Sequence, residues 1–401
     1  MSDQQWELMT LLAEYMFVAM IALLLGTFVI GTICRLITKF MRKDNWFKRF
    51  FSKPLVVYSI RRTKSALITI ALVATATFLL LRMLPDGVYY MSYINKIPVD
   101  RQAAAIASAR AKFGLDKPVI EQLWDYYYNI LPFKKSICVS QSLTQDPITK
   151  ALVWKCSEYK NVYINFGTSL VLRKNVLVMD ILYERAAVSF VIGLIACLGQ
   201  ILIGYPLGVL MASRKDKFID KFGKVYSVLV DAIPAIVYYF LIMILFQRVF
   251  GMTTFFDRYD MSTWVVPLVS LLIAGIPGIA IWVRRYMVDE VSADYVKFAK
   301  AKGLSKNRIM FVHVLRNAVV PLVRTIPTAF IFSLLGSYYV EKIYSIPGLG
   351  QTLINSINQQ DNPLVQGLVI IFAFVSTFAY LIGDITTALV DPRISLAAKE
   401  D

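Results

Sequence analysis

The residue types that most often bind transition metals are scarce in this chain, and its other reactive residues lack the spacings of known catalytic motifs. Its 401 residues include one histidine, His313, and four cysteines. No CxxC, HExxH, nucleophile-elbow or GxxxxGK[ST] spacing occurs, so the sequence offers no zinc cluster, acyl-transfer triad or nucleotide-binding loop. The Gly-x-Gly of SIPGLGQTL follows an apolar run and not a strand, which favours a tight turn over a phosphate site. We therefore expect no enzyme and no metal site, and a structural role for His313.

The four cysteines fall in two kinds of environment. Cys34 and Cys197 lie in apolar segments, where a free thiol is usually a small buried hydrophobe. Cys138 and Cys156 lie in the one long segment without an apolar run, with seventeen residues between them. In an oxidising compartment this pair can form a disulfide, and two free thiols are the alternative.

The elements that must position these residues are apolar enough for a membrane. Hydrophobic residues make up 57% of the chain and charged residues 17%, with a mean hydropathy of +0.58. A helix needs roughly 20 apolar residues to cross about 30 Å of hydrocarbon. Seven segments meet this length, near residues 11–33, 64–84, 186–212, 225–249, 264–284, 323–340 and 364–389.

The net charge of +16 collects at the ends of these apolar runs, which argues against a nucleic-acid stripe and for membrane topology. Three connections carry the charge. The first has Arg35, Lys39, Arg42, Lys43, Lys48, Arg49, Lys53, Arg61, Arg62 and Lys64, the second Arg214, Lys215, Lys217, Lys221 and Lys224, and the third Lys297, Lys300, Lys302, Lys306, Arg308 and Arg316. The positive-inside rule makes all three cytoplasmic, with the N-terminus outside and the C-terminus inside.

The first apolar run does not have the charge pattern of a cleavable signal peptide. Asp3, Glu7 and Glu14 precede or enter the run, and its positive charges follow it. We expect a retained anchor, with an interfacial helix as the alternative.

The segment from residue 85 to 184 is too long for a simple loop, and the predicted topology places it outside. Arg101 to Leu131 has helical spacing and ends in four aromatic residues that predict a small cap over the membrane helices. Core packing is the expected role of these aromatics, and ligand contact is the alternative. They are Trp124, Tyr126, Tyr127 and Tyr128.

The third basic connection has more structure than topology requires. Tyr295 to Lys302 is rich in Ala and Lys, Gly303 ends this predicted helix, and Ser305 can cap a second one. A loop attracted to anionic lipid is the simpler alternative. The small residues Ala299 and Ala301 favour instead an element on which another protein docks.

Within the predicted spans, Asp231 is the acid that most suggests a cavity, since a carboxylate at depth is costly. Pro234 can break the same helix and expose backbone groups. We include Tyr238 and Gln200 with them as a candidate translocation path. The alternative for Asp231 is a helix-end charge near the cytoplasmic interface, and Asp384 is expected to be interfacial.

YVKFAKAKGLSKNRIMFVHVLRNAVVP resembles the EAA loop of binding-protein-dependent ABC importer permeases, in the form found in the B-type subunit of oligopeptide and dipeptide permeases. Other pieces follow the same family in order from about residue 57 to 394. They are RRTKSALITIALVATATFLLLRMLP, KFGLDKPVIEQLWDYYYNIL, INFGTSL, YPLGVLMASRKDKFID, VEKIYSIPGLGQTLINSINQQDNPLVQGLVI and LVDPRI. The loop departs from the general consensus, because Lys297 and Phe298 replace its Glu and first Ala and its proline is displaced to Pro321.

We expect an all-α polytopic membrane protein with an extra N-terminal helix and a small extracellular domain, of which the helix and the external insert around Cys138 to Cys156 lie outside the common family core. The resemblance implies the type I ABC importer fold with six core helices. It implies peptide uptake by alternating access in the bacterial plasma membrane. The expected partners are a second permease, two ATPases, which bind ATP and magnesium, an external peptide-binding protein and lipid, but no nucleic acid. The chain itself needs no cofactor. The residues expected to contact the ATPase are Ala299, Lys300, Ala301, Lys302, Gly303, Ser305 and Arg308.

The expected organisation has five parts. They are an N-terminal anchor at 1–40, a basic linker and first core helix at 41–84, an extracellular domain at 85–184, the permease domain at 185–390 with its coupling loop at 290–322, and a cytoplasmic tail at 391–401. The alternatives are an ion-coupled secondary transporter, a membrane scaffold, or a related ABC importer for nickel chelates or glutathione.

Overall fold

The computed structural model describes residues 3–40, 53–85, 99–112, 114–145, 152–318 and 325–390. Most of the expected basic linker, the proline at Pro321 and the tail at 391–401 lie outside the described residues. The chain divides into two compact units. The first consists of residues 1–67, 186–351 and 375–401, and the second of residues 68–185 and 352–374.

The described chain is mainly helical, and two strands interrupt the helices. The elements in order are α1 (Asp3–Phe40), α2 (Pro54–Arg82), α3 (Val99–Lys112), α4 (Val119–Ile130), β1 (Lys135–Gln145), β2 (Leu152–Val162), α5 (Val178–Ser213), α6 (Phe218–Ala232), α7 (Ala235–Phe250), a 3-10 turn (Met261–Trp264) and α8 (Val265–Val291). They continue with α9 (Asp294–Ala301), α10 (Lys306–Arg308), a π helix (Ile309–Val314), α11 (Leu315–Ala318), α12 (Thr325–Phe332), a 3-10 turn (Ser333–Leu335), α13 (Tyr338–Ile343), α14 (Leu349–Asn358) and α15 (Asn362–Val390).

Five of these helices are long and apolar enough to cross a membrane: α1, α2, α5, α8 with its preceding turn, and α15. The span expected at 225–249 is two helices, α6 and α7, which bend by 106° and would count as a sixth span if they cross together. Pro234 stands at the bend, where its missing N–H and fixed φ end the first helix. The chain is therefore a multi-pass membrane protein.

The span expected at 323–340 is not one continuous helix in the part of the chain that the structure describes. Helix α12 ends at Phe332, and the 3-10 turn that follows it ends at Gly336, whose φ of 68° and ψ of −169° only glycine adopts readily. A sliding count of apolar residues cannot detect such a break, since Gly336 is compatible with a membrane helix by hydropathy.

Helices α5 and α8 of the first unit approach closely through glycines. A Cβ atom at Gly208 would lie 2.5 Å from the carbonyl oxygen of Ala280, and one at Gly204 would lie 3.0 Å from that of Ile276. Small residues at such positions allow dispersion contacts between backbones, which drive helix association in lipid. The two helices are thereby fixed as a pair, and both lead to the candidate site below.

Two further contacts fix the ends of helices in this unit. Asp220 at the start of α6 is fully buried and pairs with Arg284 of α8, and it also accepts a hydrogen bond from the backbone N–H of Asp216 at 2.8 Å. Asp384 of α15 is largely buried and lies 3.4 Å from the guanidinium of Arg62. Charge patterning indicated the basic residues of these connections but not their buried acidic partners.

Helix α1 packs on the rest of the first unit along its length. The ring of Trp6 lies 6.1 Å from that of Trp264, and the hydroxyl of Thr27 lies 3.5 Å from that of Thr63. Gly31 lets the side chain of Ile60 approach, because a Cβ there would lie within 2.7 Å of it. These contacts place its first turns beside the start of α8.

The second unit contains the helices expected between Arg101 and Leu131 and a hairpin that the helical fold class did not include. Strands β1 and β2 are antiparallel, and Cys138 and Cys156 form a disulfide with their Cα atoms 5.9 Å apart. Alternation of polar and β-branched or aromatic residues in these strands is the signal that could have predicted them. The helical spacing between Arg101 and Leu131 is confirmed, and the hairpin is an addition to the predominantly helical fold.

Two buried charges hold the second unit together. The carboxylate of Asp361 accepts hydrogen bonds from the hydroxyl of Ser169 and from three successive backbone N–H groups, at 2.5–3.1 Å. The ammonium of Lys135 donates to the carbonyls of Asn129, Leu131 and Tyr163 at 2.6–3.3 Å, and burial lowers the pKa of Lys135. In both cases hydrogen bonds from the protein replace the water that would otherwise hydrate the charged group.

The four external aromatics do not form one packed group. Tyr126 is buried and stacks on Phe78, and the hydroxyl of Tyr127 lies 2.6 Å from that of Thr75. Trp124 is 72% exposed and Tyr128 is 58% exposed. Core packing is therefore the role of Tyr126 and Tyr127, whereas Trp124 is exposed and the ring of Tyr128 lies 5.1 Å from the ammonium of Lys135.

Candidate functional site

The basic connection folds as two short helices joined at a glycine, and we call residues 294–318 the two-helix loop. Helix α9 ends before Gly303, which has a φ of 74° and donates its backbone N–H to the carbonyl of Lys300 at 2.9 Å. Ser305 caps α10, with its hydroxyl accepting from the N–H of Arg308 at 3.4 Å. The predicted helix, glycine stop and serine cap are confirmed, since these residues satisfy both helix ends.

The inner face of the two-helix loop is apolar and packs on α5 and α8. Val296 and Ala299 of α9 and Val314 of the π helix are buried in one cluster with Val283 and Met287 of α8. Fully burying one such large side chain contributes about 1.5–3 kcal/mol. The loop is thus packed firmly against two long apolar helices.

The outer face of the two-helix loop carries positive charge around an exposed aromatic ring. Phe298 is 69% exposed, and Phe311 is 48% exposed. The exposed polar and small residues beside them are Lys297, Lys300, Ala301, Lys302, Gly303, Ser305, Lys306 and Arg308. Exposed aromatic side chains among cations are typical of a surface that meets another protein.

Ala299 does not belong to this outer face. Its side chain is 6% exposed and faces the apolar cluster, so its small size serves packing inside the loop. The prediction that Ala299 lets a partner approach is therefore wrong for this conformation. The helical period explains the difference, because Ala299 lies three residues from the buried Val296 and on the same side of α9.

His313 is half-buried in the π helix of this loop. A π-helical segment adds a residue to a helical turn and is frequent at functional sites. The sequence shows no sign of it, because hydropathy and capping signals do not distinguish i→i+5 from i→i+4 hydrogen bonding.

The four candidate path residues are only partly brought together. Gln200 of α5 donates to the carbonyl of Leu271 in α8 at 2.8 Å and lines a cavity of about 330 Å³ in the first unit. Asp231 and Pro234 are exposed at the bend of α6 and α7, where Ser227 donates to the Asp231 carboxylate at 3.3 Å. Tyr238 packs its ring 4.6 Å from that of Tyr239.

The same cavity reaches a buried carboxylate that the sequence did not reveal. Glu341 of α13 is 3% exposed, and it accepts hydrogen bonds from the hydroxyl of Ser189 at 2.7 Å and from the backbone N–H of Gln351 at 3.0 Å. The Ser189 hydroxyl also accepts from the N–H of Leu349 at 2.8 Å. We call Glu341 with Ser189 and residues 348–351 the Glu341 pocket.

Glycines shape the Glu341 pocket. A Cβ at Gly336 would overlap the carboxylate, and one at Gly348 would lie 2.5 Å from either of its oxygens. Burial raises the pKa of Glu341 to about 7, against the opposing effect of its hydrogen bonds. SIPGLGQTL forms the predicted turn only up to Gly348, because α14 begins at Leu349, and the backbone N–H of Gln351 in this helix donates to the internal carboxylate. An acid flanked by three glycines was the available signal in the sequence.

Family models match two parts of the chain. The model described as "Binding-protein-dependent transport system inner membrane component" matches residues 204–396. A second, described as "Binding-prot-dependent transport system membrane comp, N-term", matches residues 55–156. The first match contains the two-helix loop and the bend at Pro234, and the second contains α2, α3 and α4.

Individual proteins are similar over parts or most of their length. The oligopeptide transport system permease protein AmiC of Streptococcus pneumoniae is 38% identical over 53% of this chain and 43% of its own length, so the match spans less than half of that relative. The dipeptide transport system permease protein DppB of Bacillus subtilis is 28% identical over 85% of this chain and 99% of its own. The glutathione transport system permease protein GsiC of Salmonella typhimurium is 26% identical over 84% and 98%.

Among solved structures, one of the MetNI methionine ABC transporter in inward-facing conformations is similar over 53% of this chain and 97% of its own, at 18% identity and a TM-score of 0.41.

Proposed function

The chain belongs to the family of binding-protein-dependent transport system inner membrane components, and we propose that it is a permease subunit of an ATP-binding-cassette importer that takes up oligopeptides or dipeptides. The observation that carries the proposal is the two-helix loop, which joins a buried apolar face on α5 and α8 to an exposed cationic face. The printed names of the AmiC and DppB relatives support peptides as the substrate.

In this proposal the chemistry of ATP hydrolysis takes place on two partner ATPases, which bind ATP and magnesium, and this chain is not an enzyme. An external binding protein delivers the peptide, and a homologous second permease completes the path through the membrane. Closure of the ATPase pair moves the two-helix loop. Because the loop shares an apolar cluster with α5 and α8, its movement tilts these helices and alternates access to the path.

The exposed residues Lys300, Ala301, Lys302, Gly303, Ser305 and Arg308 are the proposed ATPase contacts, with Phe298 added as an aromatic anchor. For the path we keep Asp231, Pro234, Tyr238 and Gln200. The bend between α6 and α7 supports this choice, since it interrupts regular hydrogen bonding at membrane depth, which is tolerated only beside protein or water.

The proposed location is a bacterial cell membrane, with the N-terminus outside and the C-terminus in the cytoplasm. Trp6 packs beside Trp264 at the start of α8, whereas the two-helix loop follows the other end of α8. The N-terminus and the loop therefore lie at opposite ends of this helix. A loop that meets cytoplasmic ATPases then requires an external N-terminus.

Glutathione is a second candidate substrate, because GsiC is similar over most of both chains. Nickel chelates are a third candidate substrate. The family membership disfavours an ion-coupled transporter or a scaffold.

Uptake by intact cells tests the proposal. Cells that lack this chain should lose uptake of labelled tripeptides, and a plasmid-borne copy should restore it. Depletion of ATP should stop this uptake, whereas collapse of the proton gradient at constant ATP should leave it. Uptake that follows the proton gradient would contradict the importer, and restoration of glutathione or nickel uptake alone would contradict peptides as the substrate.

A further inference from the structure

The second unit contains a polar cavity of about 450 Å³. Its wall includes Arg82 at the end of α2, Gln122, Asp125 and Tyr126 on one side of α4, and Gln366 near the start of α15. The volume lies within the range of small-molecule sites, roughly 300–1,000 Å³. We call this space the polar cavity.

Two buried side chains bring polar atoms to the polar cavity without a partner among the described residues. Gln122 is 8% exposed, and its amide nitrogen donates to the carbonyl of Lys117 at 2.7 Å. This bond fixes the amide orientation and leaves Oε1 as an unpaired acceptor. Tyr126 is 9% exposed, and its hydroxyl faces Gln366 but makes no hydrogen bond of ordinary geometry.

A buried polar atom without a partner is rare in proteins and calls for a bound group. Gln122 and Tyr126 are four residues apart on a helix, so their polar atoms converge on one region. Burial raises the pKa of Tyr126, so its hydroxyl stays neutral and can donate or accept. Together the two atoms match a group with several N–H donors.

Charges of both signs complete the wall. The guanidinium of Arg82 lies 5.4 Å from the ring of Phe78, which positions it at the edge of the polar cavity. The carboxylate of Asp125 accepts from Lys117 at 2.6 Å. Other wall amides are already engaged, since Asn165 donates to the side chain of Asn129 at 3.2 Å and accepts from the N–H of Gly167 at 2.8 Å.

We propose that the polar cavity binds a small zwitterion of dipeptide size, with its ammonium on Gln122 and Tyr126 and its carboxylate on Arg82. The site requires only the atoms above, whereas the choice of a peptide among zwitterions rests on the proposed function. Such a site would hold substrate on the permease itself, in addition to the binding protein.

Binding of the dipeptide Ala-Ala to the full chain, purified in lipid nanodiscs, tests the proposal by saturation-transfer NMR and calorimetry. We expect saturable binding of Ala-Ala. N-acetyl-Ala-Ala and Ala-Ala amide, which lack the ammonium and the carboxylate charge, should bind at least about tenfold more weakly, since charge-assisted hydrogen bonds are the stronger ones. Absence of saturable binding would mean that only water fills the polar cavity, and would overturn the proposal.

Two neighbouring tyrosines provide a matched pair of variants. Tyr126→Phe removes the hydroxyl in the polar cavity and should weaken binding of Ala-Ala by roughly three- to tenfold. Tyr127→Phe removes a hydroxyl bound to Thr75 and to the carbonyl of Ala71, and should lower the melting temperature while leaving binding unchanged. Arg82→Gln should weaken Ala-Ala more than Ala-Ala amide. Equal binding by both tyrosine variants would contradict the site.

Peptide uptake by cells separates the two proposals. If Tyr126→Phe and wild-type chains bind Ala-Ala equally while wild-type cells show ATP-dependent peptide uptake, the site is wrong and the importer stands. If the binding differences hold but no peptide uptake depends on the chain, the site stands and the importer is wrong.

Discussion

The two-helix loop and the Glu341 pocket use the same backbone feature for opposite purposes. Each has a glycine with positive φ that ends a helix, 74° at Gly303 and 68° at Gly336. A Cβ at Gly303 would meet no atom within 4 Å, whereas one at Gly336 would overlap the Glu341 carboxylate. The loop directs its charges outward over an apolar core, and the pocket encloses its charge. A glycine stop is therefore a surface feature in one region and a packing requirement in the other.

Replacing each glycine by alanine tests this comparison and should give its largest difference. Gly303→Ala introduces only backbone strain, about 1–2 kcal/mol. Gly336→Ala places a side chain in a backbone region that only glycine adopts readily and also forces the buried carboxylate to move, so we expect almost no folded protein in the membrane. The measurement is the monodisperse fraction and melting temperature of the detergent-extracted chain by fluorescence-detected chromatography.

Gly278→Ala is the control, because its added Cβ meets no atom within 4 Å and its φ is not positive. Equal yields of Gly336→Ala and Gly303→Ala would contradict the packing of the Glu341 pocket.

A second prediction concerns Asp220, a buried carboxylate that pairs with a cation, unlike Glu341, which is buried with hydrogen-bond donors. Asp220 is fully buried against Arg284, so Arg284→Met leaves a carboxylate without its main cation and should destabilise the chain by roughly 3–5 kcal/mol. Thermal melting of the purified variant measures this loss of stability. The double variant with Asp220→Leu should recover most of it, and a double variant as unstable as Arg284→Met would show that the arginine acts through packing.

The sequence predicted the loop well because its signals are local. Lys302, Gly303 and Ser305 are neighbours in the chain, and helix propensity and capping depend on such neighbours. The Glu341 pocket joins Ser189 to a residue 152 positions away, which no periodicity can indicate. For the same reason the apolar runs predicted the five long spans and Pro234 indicated the kink in the segment at 225–249, but the sequence did not reveal the break at Gly336, where local chemistry overrides mean hydropathy.

The disulfide pair followed from compartment and spacing, and the structure places Cys138 and Cys156 on paired strands. The sequence could not predict the polar cavity, because the wall of the cavity combines Arg82, Gln122 and Gln366 from three separate elements. Among the four aromatic residues predicted to form the cap, the sequence does not distinguish the buried Tyr126 from the exposed Trp124, whereas the three-dimensional structure does.

The pH dependence of stability gives a third, smaller effect. The folded pKa of Glu341, about 7, is above its ordinary value of 4.5, so the folded state binds this proton more tightly than the unfolded state. The stabilisation is complete below the unfolded pKa and is lost as the pH rises through about 7. We expect the melting temperature to fall by a few degrees between about pH 5 and pH 8.

Glu341→Gln should flatten this part of the melting profile, since the amide does not titrate. Retention of the full wild-type slope in this variant would assign the pH dependence to other groups.

The smallest effect on folding is expected for Phe298, which is 69% exposed on the two-helix loop. Phe298→Ala should change stability by less than about 0.5 kcal/mol. It should weaken association with the ATPases by about tenfold or more, as exposed aromatic anchors do at interfaces. Copurification of the ATPases with this chain at increasing salt concentration measures the association. The control is Phe255→Ala, equally exposed at 68% but near the start of α8, and a similar loss in both variants would contradict docking at the loop.

ATP hydrolysis stimulated by the binding protein, measured on the reconstituted complex with Gly303→Pro, tests the central claim most directly. Proline fixes φ near −65° and removes the N–H that Gly303 donates to Lys300, so the two helices cannot keep their turn. Gly251→Pro, at a left-handed cap of α7 with a φ of 63°, makes the same backbone change away from the loop. We predict that Gly303→Pro loses stimulated hydrolysis, or loses its ATPases, while Gly251→Pro keeps both in the fraction that folds. Normal stimulated hydrolysis in a well-expressed Gly303→Pro complex would contradict the account of the two-helix loop as the coupling element.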